Sequence, residues 1–184
     1  MRILGLSGSL RKASFNSALL RTAAGLMPAG ATLQIGTIEG IPLYDGDVEA
    51  SQGIPAAVAT LKEQIAASDG LLLSTPEYNN SIPGVFKNAI DWASRPDTDI
   101  RRVFGGRVVA MMGASPGAFG TILSQNAWLP VLRTLGMELW TGGRMMVPRA
   151  GAAFDASGQL LDGKIRERLA AFLEGFVAYA GQRR

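Results

Sequence analysis

The chain contains no cysteine and no histidine. Without them there is no thiolate nucleophile, imidazole base, disulfide, zinc finger or serine-histidine-aspartate triad. Any chemistry must therefore come from carboxylates, hydroxyls, cations or a bound cofactor. We predict no metal site and no covalent catalytic residue.

Long apolar runs and concentrated charge are also missing. No run approaches the ~18 apolar residues of a membrane helix. The first residues, MRILGLSGSLRK, are too short and too broken by Ser7 and Ser9 to serve as a signal peptide. The 18 basic and 15 acidic residues give a net charge of +3, and the basic ones are scattered. We expect a soluble, cytoplasmic protein without a membrane or nucleic-acid partner.

What the chain has is enough apolar material for one core, with 47% apolar residues in 184. This length predicts a single domain over residues 1–184. Short apolar runs bounded by Gly, Ser and Pro alternate with stretches of helical spacing, which is typical of parallel α/β proteins. The predicted strands are 2–7, 32–38, 70–75, 107–113 and 137–140.

The intervening stretches carry apolar residues on one helical face. The predicted helices are 16–27, 55–68, 83–94, 119–135 and 163–179, the fourth bent or interrupted at Pro130. Residues 141–162 are expected to form an irregular loop. Five βα units predict a flavodoxin-like, doubly wound, five-stranded parallel sheet of order 2-1-3-4-5 with helices on both faces.

The third predicted helix has more than one apolar face. Phe86 and Ile90 lie on one face, whereas Val85 and Trp92 lie on another. Since a lone amphipathic helix needs only one such face, we hypothesise that a second subunit covers the other.

Ligands of such sheets bind beyond the carboxyl ends of the strands, so the loops there carry the functional prediction. After the first strand comes SGSLRKASFNS, rich in hydroxyls and leading into a helix. The amides of a helix N-terminus, with Arg11, suit a phosphate. The alternative is that Ser14 only caps the helix while Arg11 and Lys12 are solvated.

The loops after the third and fourth strands are TPEYNNSIPG and GASPGAFG. In the first, Tyr78 offers an aromatic face, and the flanking prolines stiffen the loop, which suits a planar heterocycle. In the second, small residues bring backbone amides close to a flat ligand. The alternatives are a turn that caps the third helix through Ser81 and an ordinary glycine-rich turn. Together the three loops predict a mononucleotide site.

SGSLRKASFN and PEYNNSIPGVFKNAIDWASRP, spaced as they are, resemble the NADPH-dependent FMN reductase family, whose members include azoreductases, quinone reductases and chromate reductases. GASPGAFG and the ending FDASGQLLDGKIRERLAAF are also similar. The resemblance implies a flavodoxin-like fold that holds FMN noncovalently. It also implies a homodimer with flavin sites near the interface. Many members form tetramers through an arginine-containing continuation of GASPG that AFGTILSQNAW lacks, so dimer and tetramer both stay open.

The resemblance also implies a set of site residues. Those around the FMN phosphate are Ser9, Leu10, Arg11, Ser14, Asn16 and Ser17. Those lining the flavin ring, largely through backbone groups, are Pro76, Glu77, Tyr78 and Asn79, with Ser115 and Gly117 at the opposite edge. The expected contacts to the electron acceptor are Tyr78, Asn80 and Phe119.

The implied activity is ping-pong hydride transfer from NADPH or NADH through FMN to a small acceptor. The acceptor is a quinone, an azo or nitroaromatic compound, a metal oxyanion or a free flavin. FMN would carry the redox chemistry, which agrees with the missing histidine and cysteine. The alternatives are a nonenzymatic flavodoxin-like electron carrier and a scaffold protein without cofactor. NADPH preference needs a cation for the 2'-phosphate, for which Arg95, Arg101, Arg144 and Arg149 all qualify.

Overall fold

The computed structural model describes residues 1–183 and contains a parallel sheet with helices on both faces. The strand order is β2-β1-β3-β4-β5, and β6 also pairs with β4. This confirms the predicted flavodoxin-like order. The strands are β1 (Arg2–Ser7), β2 (Thr32–Gly36), β3 (Gly70–Ser74), β4 (Val108–Ala114), β5 (Glu138–Leu139) and β6 (Met145–Val147).

The central strands are buried on both faces because their side chains alternate between two cores. In β3, Leu71 and Leu73 pack into one core with Phe86 and Trp128. Leu72 points to the other face and packs into a second core, around Phe172 and Phe176. An uninterrupted apolar run such as GLLLS is what a strand covered on both sides requires.

Helices connect the strands and cover both cores. They are α1 (Phe15–Ala24), α2 (Gly46–Gln52), α3 (Ala56–Ala66), α4 (Gly84–Ala93), α5 (Ile100–Val103), α6 (Ile122–Thr134), α7 (Ala150–Ala153) and α8 (Gly163–Gly181), with a 3-10 turn at Asp97–Asp99. The sequence did not predict α2, α5 and α7, which are too short for a clear apolar period. Within residues 1–183 no helix has the length and hydropathy needed to cross a membrane.

The fifth position in the sheet is filled by two short strands, so the sheet has six strands instead of five. β5 pairs with Val108 and Val109, and β6 pairs with the stretch from Met112 to Ala114. Between them the Trp140 ring packs edge-on to Phe172, with 5.0 Å between ring centroids. The chain leaves the sheet edge there. The prediction of an irregular loop over 141–162 was therefore wrong, because β6 and α7 lie within it.

Two details of the predicted helices are also corrected. The fourth begins at Ile122 rather than at 119, and it continues through the exposed Pro130 to Thr134 without interruption.

The second apolar face of α4 is covered in part by the protein's own chain. Trp92 is fully buried, its indole donates to the carbonyl of Pro42 at 2.9 Å, and the Tyr44 ring meets it edge-on. Trp92 thus gives no support to a second subunit, which corrects that part of the hypothesis. Val85, the other residue of that face, keeps 39% of its surface exposed.

Gly113 in β4 provides a test of the packing where the strands end. A Cβ there would overlap the hydroxyl of Thr121 and the carbonyl oxygen of Thr75, and a backbone carbonyl cannot turn aside. We expect Gly113→Ala to lower the free energy of unfolding in urea by about 3 kcal/mol. In the control Gly163→Ala, a Cβ meets nothing within 4 Å. That change should stay below about 1 kcal/mol. Equal effects of the two changes would contradict this account.

Candidate active site

Three loops meet where the carboxyl ends of β1, β3 and β4 lie side by side. The amide of Gly8 donates to the carbonyl of Ser74 at 2.9 Å, and the amide of Thr75 donates to that of Met112 at 2.9 Å. A Cβ on Gly8 would overlap the Phe86 ring, so only glycine lets the first loop pass this close to α4. The predicted convergence of the three loops is thus present.

The loop after β1 presents the start of α1. Ser14 is the N-cap, and its hydroxyl accepts from the Ser17 amide at 3.3 Å. The predicted alternative of a capping role is therefore present. Within residues 1–183, nothing engages the amides of Phe15 and Asn16, which point out of the first turn. With the exposed Arg11 close by in the loop, these amides are the kind of donors that suit an anion.

Asn16 is buried, with 3% of its surface exposed, and its side chain joins α1 to two strands. Its oxygen accepts from the Ala114 amide at 3.0 Å, and its nitrogen donates to the Ala114 carbonyl at 2.9 Å. The Ser74 hydroxyl lies 3.2 Å from the same oxygen. The side chain is thus engaged inside the protein, which leaves the main-chain amide of Asn16 for the predicted phosphate contact.

Glu77 is held in a similar way. One carboxylate oxygen accepts from the amides of Leu123 at 2.8 Å and Ser124 at 3.0 Å. The carboxylate thereby caps α6, whose N-cap residue Thr121 makes no side-chain capping bond. This contact joins the loop after β3 to α6. Because the carboxylate is engaged there, only the main chain of Glu77 is left for the predicted contact with the flavin ring.

Beyond Glu77 the chain makes a tight turn. Tyr78 and Ser81 exchange backbone hydrogen bonds of 3.2 and 3.0 Å, and Asn79 and Asn80 have φ angles of 50° and 62°. Asparagine tolerates this left-handed region, which explains the Asn-Asn pair. The turn leaves Tyr78 48% exposed at the edge of the site.

The loop after β4 is held by the chain that follows β6. Ser115 donates its amide to the Val147 carbonyl at 3.1 Å and accepts from the Ala150 amide at 3.0 Å. The Arg149 amide donates to the Gly117 carbonyl at 2.9 Å. Phe119 stands beyond these contacts, 80% exposed. The site thus offers open amides for a phosphate and exposed aromatic side chains for a flat ring, as a mononucleotide such as FMN requires.

Comparison with known proteins agrees with this geometry. Residues 1–152 match the family model described as NADPH-dependent FMN reductase. The chain belongs to this family.

Relatives of this FMN reductase family member support the assignment. This chain is 48% identical to an NAD(P)H-dependent FMN reductase of Pseudomonas aeruginosa, over 91% of this chain and 88% of that protein. It is 38% identical to a 2-hydroxy-1,4-benzoquinone reductase of a Burkholderia species, over 100% and 98%. The solved flavoenzyme NAD(P)H:(acceptor) oxidoreductase of Paracoccus denitrificans superposes with a TM-score of 0.87 at 32% identity, covering 99% of this chain and 98% of that one.

Family membership confirms the predicted FMN cofactor and FMN-dependent NAD(P)H oxidoreductase activity. The electron-carrier alternative is not favoured. The structure brings the predicted residues of this reductase to one edge of the sheet, although the side chains of Asn16 and Glu77 are turned to structural partners.

Sequence reasoning missed a buried polar group beneath the site. The Thr75 hydroxyl lies 2.8 Å from the Ser124 hydroxyl and accepts a hydrogen bond from the Trp128 indole at 3.1 Å. The one signal for it is the pair Ser74-Thr75 directly after an apolar strand.

Asn16 provides a test of the structural role. We expect Asn16→Ala to lower the free energy of unfolding of the FMN-free protein by about 2 to 4 kcal/mol. The change would leave the buried N–H and C=O groups of Ala114 without their hydrogen-bond partner. The matched control is Asn126→Ala at an exposed position, which should change it by less than about 0.5 kcal/mol. Urea unfolding of the two variants measures both changes in the free energy of unfolding. A loss in FMN affinity without a loss of stability would show a ligand contact instead.

Proposed function

We propose that this FMN-dependent NAD(P)H oxidoreductase passes electrons to a quinone. The names of the relatives support this choice, since one of them is a 2-hydroxy-1,4-benzoquinone reductase that aligns over the whole chain. The observation that carries the proposal is the exposure of two aromatic side chains at the site, Tyr78 at 48% and Phe119 at 80%. Aromatic surface left in water at a loop edge suits a flat acceptor.

The phosphate of FMN would lie at the start of α1. There the amides of Phe15 and Asn16 donate, the Arg11 guanidinium supplies charge, and hydroxyls of that loop add further donors. The remaining residues of this proposed phosphate site are Ser9, Leu10, Ser14 and Ser17.

The flavin ring would lie between the other two loops. Main-chain groups of the stretch from Pro76 to Asn79 would line one edge, and Ser115 with Gly117 would line the other. Asn80 stands at the exposed tip of the turn and would contact the acceptor, together with Tyr78 and Phe119. We propose the whole chain as one FMN-binding domain.

Bound FMN supplies the redox chemistry, since the chain has no cysteine that could form a thiol–disulfide couple. Overall, a hydride from NADPH or NADH and one proton from water convert a quinone to a quinol. The side chains named above bind and orient the reactants. Donor and acceptor would use the same opening in turn, which gives ping-pong kinetics. NADPH and NADH are cytoplasmic metabolites, which supports a cytoplasmic reaction.

The test is an anaerobic visible spectrum of FMN-reconstituted protein before and after NADPH, and separately NADH, followed by a quinone. We expect loss of the oxidised-flavin absorption with the donor and its return with the quinone. Bound flavin that neither donor bleaches would contradict the reductase activity. Bleaching that quinone does not reverse would contradict the choice of acceptor.

The phosphate assignment is tested in the same preparation. Arg11→Ala should weaken FMN binding about tenfold, the loss expected for one charge-assisted contact. The control Arg133→Ala removes an exposed charge in the last turn of α6. Equal FMN affinities of the two variants would remove Arg11 from the site.

We also propose a homodimer formed through the outer surface of α4. Leu43 is 82% exposed and lies over α4, where the Tyr44 amide donates to Asn88 at 2.9 Å. With Val85 it leaves apolar surface uncovered beside the site.

Sedimentation equilibrium at micromolar concentration should show a dimer, and Leu43→Glu with Val85→Glu should shift it to monomer. The control Leu161→Glu changes a side chain that is 61% exposed on the loop before α8, and it should leave the dimer intact. A wild-type monomer would contradict the dimer, and a tetramer would require a second interface.

A further inference from the structure

A cleft of about 530 Å³ runs along the outer side of α1. It begins at the loop after β1, at Arg11 and Ser14, and is closed on its other side by the chain that follows α7, from Phe154 to Gly158. It therefore adjoins the proposed FMN phosphate site and extends beyond it.

Three cations line this cleft, Arg11, Lys12 and Arg21. All three are exposed, and within residues 1–183 none of them forms a side-chain hydrogen bond or an ion pair. Like charges gathered in a concave surface repel one another and concentrate anions. The arrangement is therefore more stable with an anion bound.

Arg21 lies at the far end of the cleft. A Cβ on Gly158 would come within 3.0 Å of its Nη2 atom, so the guanidinium lies directly over a residue without a side chain. The charge is thus separated along α1 from Arg11, and the two can serve different phosphates.

One carboxylate, that of Asp155, also lines the cleft and offsets one of the three positive charges, so the lining keeps a net positive charge. Its Oδ1 atom accepts from the Ser157 hydroxyl at 2.6 Å, the Ser157 amide at 2.8 Å and the Gln159 amide at 2.9 Å. These hydrogen bonds, that of the Ser157 hydroxyl foremost, hold the pKa of Asp155 below its usual range. The hydrogen bonds hold the carboxylate against its own turn, and no ion pair joins it to a cation of the cleft within residues 1–183.

The wall of the cleft also offers aromatic surface. Phe15 and Phe154 stack with their ring centroids 5.7 Å apart and their planes 30° apart. Phe15 is partly exposed. A ligand with a flat base and a phosphate would find both kinds of partner here.

We propose that this cleft binds the adenosine 2'-phosphate of NADPH, through Lys12 and Arg21, and gives the enzyme its preference for NADPH over NADH. The proposal rests on the proposed function. A dinucleotide is longer than FMN, so with its nicotinamide at Tyr78 and Phe119 its adenosine extends past the FMN phosphate. The amides of α1 and Arg11 remain with FMN.

The four arginines left open by the sequence fit this role less well. The Arg95 guanidinium lies over the Tyr44 ring at 5.5 Å, and Arg101 lies in α5, just before β4 enters the sheet at its amino edge. Arg144 precedes β6, part-way along the sheet. Only Arg149 follows a strand at the carboxyl edge, which makes it the rival.

The experiment uses holoenzyme and two probes, 2',5'-ADP and 5'-AMP, which differ in the 2'-phosphate. We expect calorimetry to show the wild type binding 2',5'-ADP at least tenfold more tightly than 5'-AMP. Lys12→Gln with Arg21→Gln should abolish most of that ratio. The same double variant should lower the NADPH to NADH ratio of kcat/KM at least tenfold. Arg133→Gln is the charge-matched control, and Arg149→Gln tests the rival.

An unchanged ratio in the double variant, or a loss confined to Arg149→Gln, would overturn the proposal. So would loss of FMN from the double variant, because the cleft would then belong to the FMN phosphate. Both replaced side chains are exposed and unpartnered, and an unchanged melting temperature verifies folding. If neither donor reduces wild-type FMN, the proposed function fails, whereas the calorimetric ratio still decides whether the cleft reads a 2'-phosphate.

Discussion

The site depends on the hydrogen bonds of one buried amide, that of Asn16. It joins the first turn of α1 to the end of β4 through both main-chain groups of Ala114, and to the end of β3 through Ser74. These contacts fix the direction of the helix and the position of its unengaged amides. Because the side chain is buried, each hydrogen bond that it fails to make carries the full cost of desolvation. The open amides of α1 are held in place by an amide that no ligand reaches.

The carboxylate of Glu77 has the same role on the other side of the site. By capping α6 it joins the loop after β3, which we propose binds the flavin ring, to the helix after β4. Both residues belong to motifs that resemble a flavin-binding family. Their side chains nevertheless bond to other parts of the protein, and in the proposed site it is the backbone that they position which would face the ligand. A short motif can therefore identify a site without showing which atoms of its residues contact the ligand.

The fold followed from the sequence because apolar runs without alternation mean strands covered on both faces, and the spacing of the helices fixed the crossovers. The interrupted fifth position could not be foreseen. It depends on the Trp140 ring packing on Phe172, a contact between residues 32 positions apart in sequence. The covering of Trp92 by Pro42 is equally long-range. The loops of the site were predictable because they follow strands of a parallel sheet. The partners of Asn16 and Glu77 were not, since they lie on distant elements of the chain, in β3 and β4 for Asn16 and in α6 for Glu77.

The distribution of charge is a further property that composition conceals. A net charge of +3 says little about any one surface. Near the amino edge, however, two cations are paired with carboxylates: Lys62 with Asp99 at 2.9 Å and Arg102 with Glu63 at 2.9 Å. Along α1 the cations Arg11, Lys12 and Arg21 form no ion pair within residues 1–183, so unpaired positive charge lies beside the loops that would bind phosphates. Screening acts over about 8 Å at physiological ionic strength. Only charges within this distance of a ligand contribute strongly to its binding. The position of the cations along α1, rather than their number, therefore favours a nucleotide.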